Sequence, residues 1–527
     1  MDDRLEDLVN QPDTDQPILA TAKGTSFLAG GSFFEFAARF FIALILARNL
    51  GAADYGLYVL SISAASIFAG ISLLGLDDAM VRYVAILSGR RDRGGVWGTV
   101  QIGLGVSVLA GVLMGAGLFI AAQPIAQNLF DEPRLTPLLR LFAFVVPFLT
   151  VSNVLAGTVR GFRRMDYSAF AENVVMSLVR LVLVVILSLM NGLSLYAAGV
   201  VFGISDVAAS VTLIILLNKV FPLGEAFHRV PRRDLRAIFG FALPLWLSGL
   251  LRQFRRNIQT FFLGTLAAAS SVGVFAVANN VTLVGHVWLL SIYMAVKPIL
   301  AQLHDQRDHG RLARLYATST RWTLSLNVPF FLVLVLYPQA ILNVFGASFV
   351  AGTTVLVLLA FAELMNAGTG ICGPLIDMTG HTRVKLANTI LWTVLLIGGD
   401  ALLIPRWGVV GAATASLIAI GTVNVVTVAE VWILERLIPY DRSFWKPVVA
   451  GLAALTAGFA LRAWMPVGTD IGRAIGQGIA VGGIYGGLML LFGLEPDDRL
   501  VFQRVVSKTR RVLARRRPAA LLRERSG

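Results

Sequence analysis

The chain has almost no cysteine and little charge. A single cysteine, Cys372, stands in 527 residues, so no intramolecular disulfide can form and nothing marks a redox compartment. Only 14% of the residues are charged against 56% hydrophobic, and mean hydropathy is +0.74; this excludes a soluble domain and defines a polytopic membrane protein. No HExxH, paired-carboxylate or nucleotide-binding motif occurs, no metal or cofactor pattern stands out, and the usual nucleic-acid modules are missing despite a net charge of +14. An integral membrane glycosyltransferase, ligase or polymerase would need a sizeable outer loop bearing carboxylates or His. The longest outer loops before span 13, Ala122 to Pro137 and Tyr337 to Thr353, hold only about 15 residues, so an enzyme is not expected. The first 25 residues carry Asp2, Asp3, Glu6, Asp7, Asp13 and Asp15 but no basic segment with a cleavage site, which reads as a cytoplasmic extension and not a signal peptide.

Long apolar runs are abundant. Runs of about 20 residues give fourteen candidate spans. They start near Phe27, Tyr55, Trp97, Leu138, Glu172, Leu195, Phe239, Gly273, Trp322, Thr354, Leu386, Val409, Trp445 and Gly472. With a cytoplasmic N-terminus, 34 of the 45 Lys and Arg fall inside, 5 outside and 6 within spans, so both termini are expected in the cytoplasm. The expected organisation is an all-α integral membrane fold. Residues 1–25 form the extension, 26–218 a first six-helix lobe, 219–237 a cytoplasmic linker with Arg229, Arg232 and Arg233, 238–434 a second six-helix lobe, 435–495 two further spans, and 496–527 a basic tail.

The two lobes are expected from an internal repeat. Leu50-Gly51 recurs as Leu263-Gly264 (separation 213), Gly56-Leu57-Tyr58 as Gly273-Val274-Phe275 (217), Ala143-Phe144 as Ala360-Phe361 (217), Asn173 as Asn388 (215) and Gly192 as Gly408 (216). Six spans per copy give both copies the same orientation, related by an axis along the membrane normal.

One span carries charges that lipid would reject. In Leu243 to Gly264, residues Ser248, Arg252, Arg255, Arg256 and Gln259 share one helical arc, and Leu247, Leu251, Phe254, Ile258 and Phe262 the opposite one. Three arginines facing lipid near mid-bilayer would cost about 10 kcal/mol, so they are expected to face a wet interior able to hold an anion. Arg39 lies eleven residues before Leu50 and Arg252 eleven before Leu263, which makes the two arginines expected equivalents across the repeat.

Ala47 to Ala85 resembles the polysaccharide transporter branch of the multidrug/oligosaccharidyl-lipid/polysaccharide flippase superfamily. The resemblance is carried by Leu50-Gly51, Gly56-Leu57-Tyr58, Gly75-Leu76-Asp77 and Arg82-Tyr83, with Val272 to Phe275 similar to the counterpart in span 8, and it covers roughly Gly24 to Pro439. It implies flipping of undecaprenyl-pyrophosphate-linked oligosaccharide across the bacterial inner membrane by alternating access. Arg39, Arg252, Arg255 and Arg256 are the expected contacts for the pyrophosphate, because guanidinium forks bind phosphate oxygens through charge-assisted hydrogen bonds. Internal pairing alone, or snorkelling to an interface, is their bland reading.

Glu35, Asp206, Glu363 and Asp400 lie within spans as candidates for ion coupling or buried bridges, Glu35 one turn before Arg39 and Arg180 available as a partner for one of the others. Asp77, Asp78 and Arg82 end span 2 and are candidates for a gate or a solvated loop. The tail from Arg499 to Arg525 suggests a basic amphipathic helix on anionic lipid. A polysaccharide polymerase or co-polymerase is the expected protein partner of a single-chain transport unit. The alternatives are a lipid II flippase, although Phe40 replaces the acidic residue expected after Arg39, and a drug or cation antiporter, whose substrate the arginine face would repel.

Overall fold

In the computed structural model the described residues, which are 15–222, 231, 234–493, 495 and 498, are mostly helical, with no strand among them. Side chains are described from residue 34 onward, Trp288 excepted. The start of the N-terminal extension, most of the linker with Arg229, Arg232 and Arg233, and the tail from Arg499 lie outside the described residues.

Among the described residues eleven helices are long and apolar enough to cross a membrane, or twelve if the pair Leu135–Ala143 and Val146–Gly161, bent by 40°, is one span. Two helices exceed one crossing: Asp15–Ser72 has 58 residues and Thr382–Glu435 has 54. At 1.5 Å per residue each would run about 80 Å, far beyond a hydrocarbon core of about 30 Å. Each is broken once, at Gly51 (φ 75°, ψ 175°) and at Gly408 (φ 55°, ψ −132°), where a side chain would be strained and glycine is not. The breaks fall where the sequence divides spans 1 from 2 and 11 from 12. Beyond the first, the freed N–H of Ala52 donates to the Ser348 hydroxyl at 3.2 Å, which keeps the kinked backbone satisfied.

Helix starts are fixed by short polar side chains. Asp92, Ser194, Asp234, Asp308 and Asp470 each accept a backbone N–H of the first turn at 2.9 to 3.2 Å.

The contacts divide the chain into two compact units. The first comprises Met1–Val281, Leu342–Val355 and Ile397–Ala413. Its core includes Trp97, Leu155, Val159, Leu213 and Phe221, and a second cluster, Leu76, Met80, Val154, Ile238 and Ala242, joins the helices Leu76–Gly89, Val146–Gly161 and Leu235–Leu266.

The second unit comprises Thr282–Ile341, Leu356–Leu396 and Thr414–Gly527, with a core around Leu300, Leu312, Tyr316, Ile371, Leu375 and Val431. Arg321 is buried in it and held by Asp498 at 2.8 Å, Asp441 at 3.4 Å and the Ser443 hydroxyl. Trp322 Nε1 donates to the same Asp498 carboxylate at 2.7 Å. Glu435 lies between His304 and His381, 3.6 Å from each.

Candidate functional site

The helix Leu235–Leu266 carries the site. Its start is capped by Asp234, and Trp246 Nε1 donates to the carbonyls of Gly70 and Ile71, both at 3.2 Å, which ties the helix to the end of Asp15–Ser72. Leu247, Leu251 and Phe254 stay exposed on one side, as expected for a lipid face. Arg252, Arg255, Arg256 and Gln259 of the other side line two cavities.

The first cavity, about 280 Å³, is lined by Arg252, Arg255 and Arg256 together with Asp77, Asp78, Asn153 and Trp246. The second, about 340 Å³, is lined by Arg39, Arg180 and Arg256, by Asn257, Gln259, Asn279 and Asn280, and by Tyr55 and Tyr58. Its lining contains no Asp or Glu. Arg256 lines both cavities, lies within electrostatic reach of Arg39 and Arg252, and donates to the Gln253 side chain.

The second cavity follows the sequence repeat at one separation. Arg39, Ile42, Ala43, Leu46, Tyr55, Tyr58, Val59, Ile62 and Ser63 line it, and so do Arg256, Gln259, Thr260, Leu263, Val272, Phe275, Ala276, Asn279 and Asn280, each 217 residues later. Only Arg180 and Asn257 of the lining have no such counterpart in it. The structure thus brings Arg39 together with Arg256, while Arg252 lines the neighbouring cavity. Counting from Leu50-Gly51 and Leu263-Gly264 uses a separation of 213, one helical turn short of the register in which these helices pack.

The remaining candidates separate clearly. Glu35 pairs with Arg39 at 3.6 Å. Arg180 pairs with Asp206 at 3.2 Å and donates to the Ser205 hydroxyl at 2.9 Å. Asp400 is fully buried; Gln259 Nε2 stands 3.4 Å from its Oδ1, and its Oδ2 has no hydrogen-bond partner among the described residues. Glu363 lies in the second unit against His286 at 3.3 Å. Asp77 and Asp78 face the three arginines of the first cavity, whereas the Arg82 guanidinium sits over the Phe241 ring at 4.3 Å. Burial, and then the charge of Asp78, pushes the Asp77 carboxyl above its usual range. Among the described residues these three gate candidates form no ion pair.

From the sequence Arg180 stands only as a partner for a carboxylate, and His286 does not stand out. An arginine inside a span was the available signal for the first. The second offered none beyond one histidine in an apolar run. No group of three metal-ligating side chains occurs among the described residues.

Membrane-crossing helices that line a basic cavity of about 340 Å³ fit a transporter. The model for "Polysaccharide biosynthesis protein" matches residues 21–304, and a second family model, MatE, matches residues 244–400. The chain therefore belongs to the polysaccharide biosynthesis protein family, in the polysaccharide flippase branch of the multidrug/oligosaccharidyl-lipid/polysaccharide superfamily. It is similar to the probable flippase AglR of Haloferax volcanii, 22% identical over 82% of this chain and 87% of that protein. It is similar also to the succinoglycan biosynthesis transport protein ExoT of Rhizobium meliloti, 23% identical over 92% and 94%. Among solved structures the fold matches the lipid II flippase MurJ in an inward closed conformation, with TM-score 0.68 at 14% identity over 88% of this chain and 98% of that one. These relatives are flippases and transporters, and the chain is a multi-pass membrane protein of that kind rather than an enzyme.

Proposed function

We propose that this protein flips undecaprenyl-pyrophosphate-linked oligosaccharide from the cytoplasmic to the outer leaflet of the bacterial inner membrane, for O-antigen, exopolysaccharide or capsule synthesis. The observation that carries this reading is the cavity lined by Arg39, Arg180 and Arg256 without a carboxylate. A diphosphate presents several anionic oxygens at fixed spacing, and guanidinium groups bind such oxygens in pairs, more strongly where water is sparse. A cationic drug would meet there a lining whose charged side chains are all cationic. Arg252 and Arg255 continue the basic lining into the first cavity, which gives the headgroup a second place to rest.

In this reading the two helices broken at Gly51 and Gly408 each count as two spans, making fourteen in all. Residues 26–218 and 238–434 act as the two lobes of an alternating-access cycle, both termini are cytoplasmic, and the basic tail rests on anionic lipid. Glu35, Asp206, Glu363 and Asp400 remain the coupling-ion candidates, and Asp77 and Asp78 the gate.

Reconstitution tests the reading. Proteoliposomes loaded with a polyprenyl-diphosphate-linked oligosaccharide should expose it to an external glycan-cleaving enzyme only when the protein is present. Equal exposure in protein-free vesicles, or movement of a cationic dye in place of the glycolipid, would refute it.

A further inference from the structure

We propose that Arg180 is a third ligand of the substrate's diphosphate and that Asp206 is the internal anion with which the substrate competes for it. The inference rests on the diphosphate reading of the cavity and adds to it a means of release.

Arg180 differs from the other two cavity arginines in how it is held. Its Nε donates to Ser205 Oγ at 2.9 Å, its Nη2 to Asp206 Oδ2 at 3.2 Å, and its guanidinium lies over the Phe202 ring at 4.1 Å. All three partners sit on one helix, Leu195–Val220. Its Nη1 makes no hydrogen bond among the described residues, so one edge of the fork is anchored while donors remain for a ligand. The side chain is largely buried, yet the residue lines the cavity with Arg39 and Arg256. Arg39, by contrast, is mostly exposed, and among the described residues its ion-pair partner is Glu35.

Symmetry gives Arg180 a distinct task. Arg39 and Arg256 are 217-residue counterparts and offer a diphosphate two similar docks, so by themselves they do not distinguish its sugar-bearing phosphate from its lipid-bearing one. Arg180 has no counterpart in the lining and breaks that equivalence.

Asp206 is nearly fully buried, and Arg180 is its only ion-pair partner among the described residues, with Tyr58 also in electrostatic reach of both. A buried carboxylate this close offsets much of the Arg180 charge and weakens its hold on any second anion. A transporter must let go of what it binds. The carboxylate therefore favours release by reclaiming the guanidinium when the diphosphate departs.

The test compares affinities for farnesyl diphosphate, titrated calorimetrically into the full chain in lipid nanodiscs. Arg180→Gln should weaken binding about tenfold and Arg180→Lys less, because a point charge remains without the fork. Asp206→Asn should act in the opposite direction, tightening binding about tenfold while slowing glycolipid flipping, since the unpaired guanidinium gains most from the ligand. A merely structural bridge predicts the same sign for both partners: weaker or unchanged binding in Asp206→Asn, alongside lost thermal stability, would overturn the proposal. Should Arg180→Gln fail to insert, the Lys and Asn variants decide it. Unchanged affinity in Arg180→Gln, with losses in Arg39→Gln and Arg256→Gln, refutes this inference alone; unchanged affinity in all three refutes the cavity reading with it.

Discussion

Gly56 and Gly273 pack reciprocally, each against the backbone one turn before the other. A Cβ on Gly56 would come 1.8 Å from the carbonyl oxygen of Ala269, and one on Gly273 would come 2.1 Å from that of Ala52. Both pairs, 56 with 273 and 52 with 269, are 217 residues apart. The contact joins the segment after the Gly51 break to the start of Ala269–Asp305, both of which line the second cavity, and it keeps the same 217-residue register as Arg39 with Arg256.

Any side chain at this crossing must push the helices apart. Gly56→Ala and Gly273→Ala should each lower the unfolding temperature of the purified protein, at an overpacking cost of about 1–3 kcal/mol. The two losses should be similar because the two contacts are. Thermal melts in detergent that leave both variants at the wild-type value would show that the helices do not approach this closely.

Arg321 should be the most sensitive charge of the second unit. Removing it with Arg321→Met leaves Asp441 and Asp498 facing each other around an apolar side chain. Breaking a buried ion pair costs about 3–5 kcal/mol, and the partial exposure of Asp441 puts the expected loss near the lower end. Denaturation of the variant, with Arg321→Lys as the partial rescue, checks this.

Asp77 gives the first cavity a pH dependence of stability with a definite sign. Its folded-state carboxyl titrates above the unfolded value because burial and Asp78 disfavour its charge. Its favourable contribution is therefore complete below the unfolded pKa and is lost as pH rises through the folded one. Asp77→Asn, which cannot ionise, should gain stability relative to wild type on going from pH 4 to pH 7. Parallel melting curves across that range would contradict it.

The amphipathic face of Leu243 to Gly264 was legible in the sequence because helical periodicity alone separates Arg252, Arg255 and Arg256 from Leu247, Leu251 and Phe254. The breaks between spans were legible as interruptions of the apolar runs, but nothing marked Gly51 and Gly408 as the residues that bend. The partner of Arg39 was not. Leu50-Gly51 and Leu263-Gly264 share a dipeptide but not a place in the fold: Gly51 takes a positive φ at a kink, whereas Gly264 sits buried against Leu60 and Phe130 within a helix. The stronger anchor was Gly56 with Gly273, where the backbone approach itself demands glycine. Arg180 was hidden for another reason, since its anchors Phe202, Ser205 and Asp206 lie on a different helix and no spacing in one chain segment records them.

The charge asymmetry of the loops makes a prediction independent of the cavity. A reporter that fluoresces only in the cytoplasm should be bright when fused after Gly527, and a phosphatase active only outside should be silent there. The reverse pattern would invert the whole topology and the direction of transport with it.

The central claim is that one anion is held from both repeats at once, by Arg39 and Arg256. A double-mutant cycle on glycolipid flipping, with Arg39→Gln, Arg256→Gln and the double variant reconstituted at matched amounts, measures it most directly. Contacts that share one ligand are coupled, so each single substitution should remove most of the transport and the double should be little worse than either. Losses that multiply strictly, with no coupling between the two positions, would contradict the claim and leave the arginines working on separate tasks.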